Sequence, residues 1–271
     1  MKDFLKGAGI TLLGLVLFSG FAAERARYAA RRDLERAIPG SSFQVSVVPR
    51  GFLGLAVGEV DSATVRGKGF AVQNLPFTVE PRGGLLARLR TLKLELSDIS
   101  LRDLPVKTLT ASIPRVQVDG FRVLFNGHFT IRGAESGTGV AVITAEGLRE
   151  FMAKKRPEFR ELTVKLTPGE ALVSGHAAVF LGPTPLEARV KIGVSEGRYL
   201  NAADAIVKLN GKEIPALLTQ RLLQGLNPII DVDRDLGLGD WLYVTSAEVG
   251  EGILTVRGRV TIPRKVAAVK P

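Results

Sequence analysis

The chain of 271 residues contains no cysteine and only two histidines, His128 and His176. Without cysteine it cannot form a disulfide framework, use a thiol nucleophile, or bind zinc or an iron–sulfur cluster through thiolates. Two histidines are too few for a histidine-rich metal centre. Because neither histidine has a patterned acid beside it, we expect both to be structural rather than catalytic.

Tyrosine and tryptophan are also scarce, at three and one residues, although the chain carries a formal net charge of +10. Surfaces that bind nucleic acid interleave aromatic stacking residues with basic ones, so nucleic acid is not the expected partner. Attraction to anionic lipid fits this charge better, and a solvated basic face that serves solubility is the alternative. We expect Arg82, Arg88 and Arg90, which flank a Leu-rich segment, to contact headgroups or the membrane surface.

The longest apolar run is at the N-terminus, where 17 uncharged residues, 7–23, follow Lys2 and Lys6. At about 1.5 Å per residue a helix of this length reaches about 26 Å, just short of a hydrocarbon core. A basic stretch without a helix breaker follows as far as Pro39, which favours an uncleaved anchor over a cleaved signal peptide. The sequence therefore predicts a membrane anchor or signal segment at 1–40 and an extracytoplasmic β-rich domain at 41–271.

The rest of the chain is dominated by residues that alternate between apolar and polar, which is typical of half-buried antiparallel strands. Residues 163–176 and residues 246–259 show the same order of elements, which is a strand, a turn that contains Gly-Glu, and a second strand. The pattern predicts strands at 43–47, 106–113, 121–131, 162–166, 188–192 and 254–260. The predicted fold class is α+β and mostly β, with one long curved antiparallel sheet against a few helices.

Helical patterns are few. Residues 144–155 begin with a threonine suited to an N-cap, and 213–225 carry an apolar stripe that ends at Gly225. A third, short candidate covers 84–90. We expect these helices to cover the apolar face of the sheet.

The acidic cluster Asp231, Asp233 and Asp235 is the one pattern that suggests a metal. An EF-hand loop needs glycine directly after its third acid, and this chain has Leu236 there. The three acids also alternate as the solvated face of a strand would. With no G-x-S-x-G, G-x-G-x-x-G or Walker pattern either, we expect neither an enzyme nor a cofactor.

Four segments resemble the LmeA-like phospholipid-binding family. They are the Leu-rich stretch 89–99, the helix start Ile143–Leu148, the Asn-Pro segment Leu226–Asp231 and the final hairpin 242–258. The resemblance implies an envelope protein with an N-terminal signal or anchor, an elongated curved sheet around helices, and phospholipid in an apolar groove. It carries over no catalytic residue.

The sequence and the resemblance together predict a membrane-anchored, extracytoplasmic phospholipid-binding protein. The residues expected to hold acyl chains are Leu217, Leu218, Leu222, Leu223, Ile229 and Trp241. One alternative is a non-enzymatic accessory protein of the envelope that binds a protein partner through its exposed sheet edges. A second is a metal-dependent hydrolase or transferase that uses Asp231 and Asp233.

Overall fold

A computed structural model describes residues 2–51, 54, 58–73, 79–80, 86–126, 128–179 and 182–264. The side chains of residues 2–19, 124, 177–179, 182 and 183 lie outside this description. The described helices are α1 (Lys2–Ala37), α2 (Ala145–Lys155) and α3 (Ala216–Leu226), and a π-helical turn covers Arg122–Asn126. The strands cover most of the remainder, which confirms a mostly-β protein of the α+β class.

Among the described residues nine strands form the first sheet, and its main path runs β1-β2-β4-β5-β7-β15-β14, with β3 paired to β4 and β6 to β5. Their bounds are β1 (Phe43–Pro49), β2 (Glu59–Lys68), β3 (Ala71–Val72), β4 (Leu86–Leu101), β5 (Leu104–Asp119), β6 (Ile131–Gly133), β7 (Gly137–Thr144), β14 (Leu242–Val249) and β15 (Ile253–Val260). Most pairs are antiparallel, but β4 pairs in parallel with β2 and β3. The predicted antiparallel pairing is therefore confirmed for most strands, and β4 adds parallel pairs within the sheet.

The second sheet has six strands in the order β12-β11-β10-β9-β8, with β13 paired to β11. Their bounds are β8 (Phe159–Thr167), β9 (Glu170–Val179), β10 (Gly182–Ser195), β11 (Tyr199–Leu209), β12 (Lys212–Glu213) and β13 (Ile230–Asp231). The structure thus divides the predicted single sheet into two. Buried side chains from both sheets nevertheless form one continuous apolar core, to which the end of α1 also contributes.

The two segments of similar design are the β8–β9 and β14–β15 hairpins, and their turns join the sheets. The Gly169 amide donates to the Val249 carbonyl at 2.8 Å, and the Gly252 amide donates to the Leu166 carbonyl at 2.9 Å. Both glycines have positive φ, which a turn of this kind allows them at little cost. The predicted hairpins are confirmed, and their pairing positions the second sheet against the first.

Two local predictions are wrong. Residues 86–90, predicted as part of a short helix, begin β4, because that strand is paired on both sides by β2 and β5. The predicted strand at 121–131 is replaced by the π-helical turn, with β6 beginning only at Ile131. The Asp119 carboxylate accepts the Arg122 amide at 3.0 Å, and the His128 amide bonds to the Arg122 carbonyl at 3.0 Å, so the chain turns instead of extending.

The N-terminal helix α1 continues from Lys2 to Ala37 and packs along β1. Most of the predicted anchor, residues 7–19, falls where side chains lie outside the described residues. Within the part of the chain that the structure describes, no helix has both the length and the apolar character needed to cross a bilayer.

Candidate functional site

An apolar cavity lies between the inner face of the second sheet and the helices α2 and α3. Its volume is about 70 Å³. Seventeen of the nineteen lining residues are apolar and the other two are basic: Leu148, Met152, Lys155, Arg156, Phe159, Leu162, Val164, Ala171, Val173, Leu186, Ala188, Val190, Ile192, Ala202, Val207, Leu222, Leu223, Leu226 and Ile229. A site with this lining suits a hydrocarbon chain that ends in an anionic group.

The floor of the cavity follows from the two-residue period of its strands. Leu186, Ala188 and Val190 alternate with the exposed residues Glu187 and Arg189 along β10. Neighbouring strands add pairs with the same spacing, such as 162 and 164 on β8 and 171 and 173 on β9. The alternation places one apolar face of the sheet under the helices and turns the polar face to solvent.

Helix α2 forms one wall and is capped as its sequence predicts. The Thr144 side chain accepts the Gly147 amide at 3.0 Å, and Glu146 lies in the first turn where it favours the helix dipole. Leu148 and Met152, one turn apart, face the cavity. The predicted helix and its N-cap are confirmed.

Helix α3 forms the other wall, and hydrogen bonds attach the chain to β11 on both sides of it, from the Ile214 amide to the Val207 carbonyl and from Asn227 to Ala202. The Asn227 side chain accepts the Ala202 amide at 2.8 Å and donates to the Ala202 carbonyl at 2.9 Å. At the other end the N-cap is Pro215, which supplies no side-chain cap, so the helix starts three residues later than predicted. It also continues through Gly225 to Leu226, because Asn227 rather than glycine provides the cap.

The two basic residues of the lining differ in what they bind. The Lys155 ammonium donates to the carbonyls of Pro228 and Ile229, at 3.2 and 3.1 Å, and pairs with Asp235. Its charge is therefore used inside the protein. Arg156 donates one hydrogen bond to the Leu226 carbonyl at 3.1 Å and lies 4.0 Å from its nearest carboxylate, so further guanidinium N–H groups remain for a ligand.

A family model, LmeA-like phospholipid-binding, matches residues 17–259. The chain belongs to the LmeA-like phospholipid-binding family. The match includes α2, α3 and every strand of the second sheet, and membership supports phospholipid binding. The family is a lipid-binding one and not a known enzyme family. No curated protein and no solved structure shows a significant match.

In this LmeA-like protein only part of the predicted acyl-binding set comes together. Leu222, Leu223 and Ile229 line the cavity. Leu217 and Leu218 do not line the cavity, and their exposed fractions are 64% and 48%. Trp241 is buried in the core, away from the cavity lining. Sequence reasoning missed the strand residues of the floor, although their alternation was visible in 186–192.

Two of the three arginines predicted to bind headgroups, Arg88 and Arg90, are not part of the cavity lining. Arg88 and Arg90 lie on β4 of the first sheet, beside a separate groove that Arg50 and Arg115 also line. Arg90 pairs with Asp61 at 3.4 Å. Arg82 lies outside the described residues.

The acidic cluster holds its own backbone together. Asp231 accepts the amides of Asp233 and Arg234, both at 3.0 Å, and Asp235 accepts the Asp231 amide at 2.8 Å. Among the described residues no group of three potential ligands could hold a metal ion. Asp231 and Asp235 therefore stabilise a turn of the backbone by accepting its amides.

Proposed function

We propose that the protein holds a phospholipid with an acyl chain in the cavity between α2 and α3 and the phosphate near Arg156. One observation supports this above all: the described residues of the lining are apolar side chains and two cations, with no carboxylate among them. Burying a hydrocarbon chain contributes about 0.8 kcal/mol per methylene group, so a chain of ordinary length supplies ample affinity. The guanidinium provides the charge-assisted hydrogen bonds that a phosphate accepts.

Loading requires α3 to move. A volume of about 70 Å³ is far below the several hundred cubic ångströms of a pocket that encloses a ligand of this size. Thr219 is the only buried residue of α3, so the helix packs loosely on the sheet. The C-terminal end of the helix is fixed by the hydrogen bonds of Asn227 to Ala202. We propose that α3 lifts from the sheet between its two attachments, which are the Ile214 amide on the Val207 carbonyl and the Asn227 side chain on Ala202.

We also propose that the apolar run at 7–23 anchors the protein in a membrane and that the β-rich domain handles lipid in the extracytoplasmic envelope. Lys2 and Lys6 precede this run, which is the arrangement of a signal or anchor segment. A phospholipid-binding family also fits a location at a membrane, because phospholipids are membrane components.

The test is native mass spectrometry of the full chain, released from mild detergent, with extraction and identification of any bound lipid. We expect one phospholipid per protein. A chain that is empty and that also fails to take lipid from vesicles would refute the proposal and favour the accessory protein that binds a protein partner.

Reversing the charge of Arg156 tests the headgroup contact. Since a hydrogen bond to a charged group is worth about 1.5–3 kcal/mol, Arg156→Glu should weaken phospholipid binding by roughly tenfold to a hundredfold. Diacylglycerol, which has the same chains and no phosphate, should bind both proteins alike. Arg221→Glu, on exposed α3 outside the lining, is the matched control; equal losses for both variants would assign the effect to general charge.

A further inference from the structure

Four large apolar side chains are exposed at one end of the first sheet: Val48, Leu86, Phe121 and Phe125. The strand register places Val48 and Leu86 toward the same end of this sheet, with Val48 in the row of Thr91 and Leu86 five residues further along β4. Pro49 at the end of β1 pairs with Val60 near the start of β2, and Leu86 at the start of β4 pairs with Asp119 at the end of β5. The π-helical turn begins three residues after Asp119. Exposed apolar groups concentrated in this way mark an interaction surface.

The two phenylalanines form the most prominent part of this end. Their ring centroids are 4.8 Å apart, and their exposed fractions are 50% for Phe121 and 64% for Phe125. The turn, which follows Phe121 directly and contains Phe125, is held by the Asp119 carboxylate, itself only 1% exposed, and by the His128 amide. The rings are therefore held outward by the fold, because the turn beneath them is fixed to buried structure.

Arginines surround the apolar side chains. Arg50, Arg90 and Arg122 are exposed and pair with exposed or partly exposed carboxylates at 3.3–3.4 Å, and Arg122 also lies 3.8 Å from the buried Asp119 carboxylate. Such pairs exchange easily with solvent and with other anions. Arg88 has no ion pair with a described residue. An apolar centre with arginine at its rim matches acyl chains below a layer of phosphates.

The direction of α1 indicates what covers this end. Only five residues separate the end of α1 from the start of β1. The first residue of β1, Phe43, pairs with Gly67 and lies at the end of the sheet opposite to the exposed apolar side chains. The Phe129 amide donates to Asp33 at 2.8 Å, so α1 passes beside the π-helical turn at that residue. The residues of α1 before Asp33 run on past this turn: Ala29, Ala30, Ala22 and Ala23 are still buried, and Phe21 and Gly20 are exposed.

From this arrangement we propose that the end of the first sheet formed by Val48, Leu86, Phe121 and Phe125 docks on a lipid bilayer. The phenylalanine rings insert among the acyl chains, and the surrounding arginines contact lipid phosphates. The inference rests on the anchoring part of the proposed function, since the same helix carries the apolar run 7–23 and the segment beside the π-helical turn. The docking surface belongs to the first sheet, whereas the cavity belongs to the second sheet, so the two sites are formed by different residues.

The lack of cysteine makes the test direct, because a single cysteine can be labelled without removing others. The full chain with Asn126→Cys, next to Phe125 on an exposed site, carries a polarity-sensitive dye and is reconstituted into vesicles of phosphatidylcholine and phosphatidylglycerol. Brominated acyl chains quench a dye that enters the bilayer. Ile206→Cys, exposed on the outer face of the second sheet, is the matched control.

We expect severalfold stronger quenching at Asn126 than at Ile206. Adding Phe121→Ser and Phe125→Ser should reduce it to the Ile206 level, whereas Leu217→Ser and Leu218→Ser should leave it unchanged. Alkaline carbonate, which removes peripheral proteins from vesicles, tests anchoring separately. If the chain resists carbonate but quenching is equal at the two sites, docking is overturned and anchoring is retained. Strong quenching at Asn126 in a chain that carbonate removes would support docking and refute anchoring. No association with vesicles would refute both.

Discussion

Replacing Ala188 by tryptophan should reduce phospholipid binding by more than about a hundredfold. Ala188 lies at the centre of the cavity floor, paired with Val173 on one side and Val207 on the other. An indole at this position fills the space that an acyl chain needs below α3. Excluding only four methylene groups, at about 0.8 kcal/mol each, accounts for a loss of this size. Titration with a fluorescent phospholipid measures it.

The adjacent residue supplies the control. Glu187→Trp places the same side chain one position away on the outer, exposed face of β10. It should bind lipid like the unaltered protein, and both variants should keep their far-ultraviolet circular dichroism. Unchanged binding in Ala188→Trp would move the acyl chain out of this cavity. A core substitution that adds volume costs about 1–3 kcal/mol, so the thermal midpoint of each variant is measured as well.

The hairpins and α2 could be predicted because their determinants are local. The Gly-containing turn at 169 and the cap at Thr144 act within a few residues, and both are present in the structure. The division into two sheets depends instead on hydrogen bonds between turns distant in sequence, such as Gly169 to Val249. Alternation cannot reveal that pairing, because it reports which face of a strand is buried and not which strand lies next to it.

The candidate site shows the same limit. The apolar stripe of α3 predicted which helix covers the cavity, and Leu222 and Leu223 face it. The predicted stripe included too many residues, since Leu217 is exposed and does not line the cavity. Arg156 gave no sequence signal that separates it from the other basic residues; its position follows from the end of α2 meeting the end of α3 through the Leu226 carbonyl.

Removing the Asp119 carboxylate should lower the free energy of unfolding by about 3–5 kcal/mol, because it leaves a buried guanidinium without its counter-charge. Asp119 and Arg132 form an ion pair in which both side chains are almost fully buried. Arg132 also donates to the Glu80 carbonyl at 2.9 Å, and Asp119 accepts the Arg122 amide. Asp119→Asn therefore weakens both a core ion pair and the base of the turn that carries Phe121. Urea unfolding at neutral pH measures the loss.

The pH dependence of that loss distinguishes the charge from the shape of the side chain. Burial raises the pKa of Asp119, but hydrogen bonds from the Arg122 amide and from Arg132 outweigh it, so the pKa lies below its ordinary value. A carboxyl with a lowered pKa stabilises the fold above its unfolded pKa of about 4 and loses this contribution as pH falls through the folded value. The gap between the two proteins should therefore be full at pH 7 and shrink below about pH 4.

Glu135→Gln is the control, since its pair with Arg115 is exposed and should be worth at most about 1 kcal/mol. The double variant Asp119→Leu with Arg132→Met should be more stable than either single variant, because no unpaired charge stays buried. If Asp119→Asn unfolds like the unaltered protein at every pH, the pair contributes no net stability. The position of the phenylalanine turn would then depend on the His128 and Phe129 amides and on α1 instead.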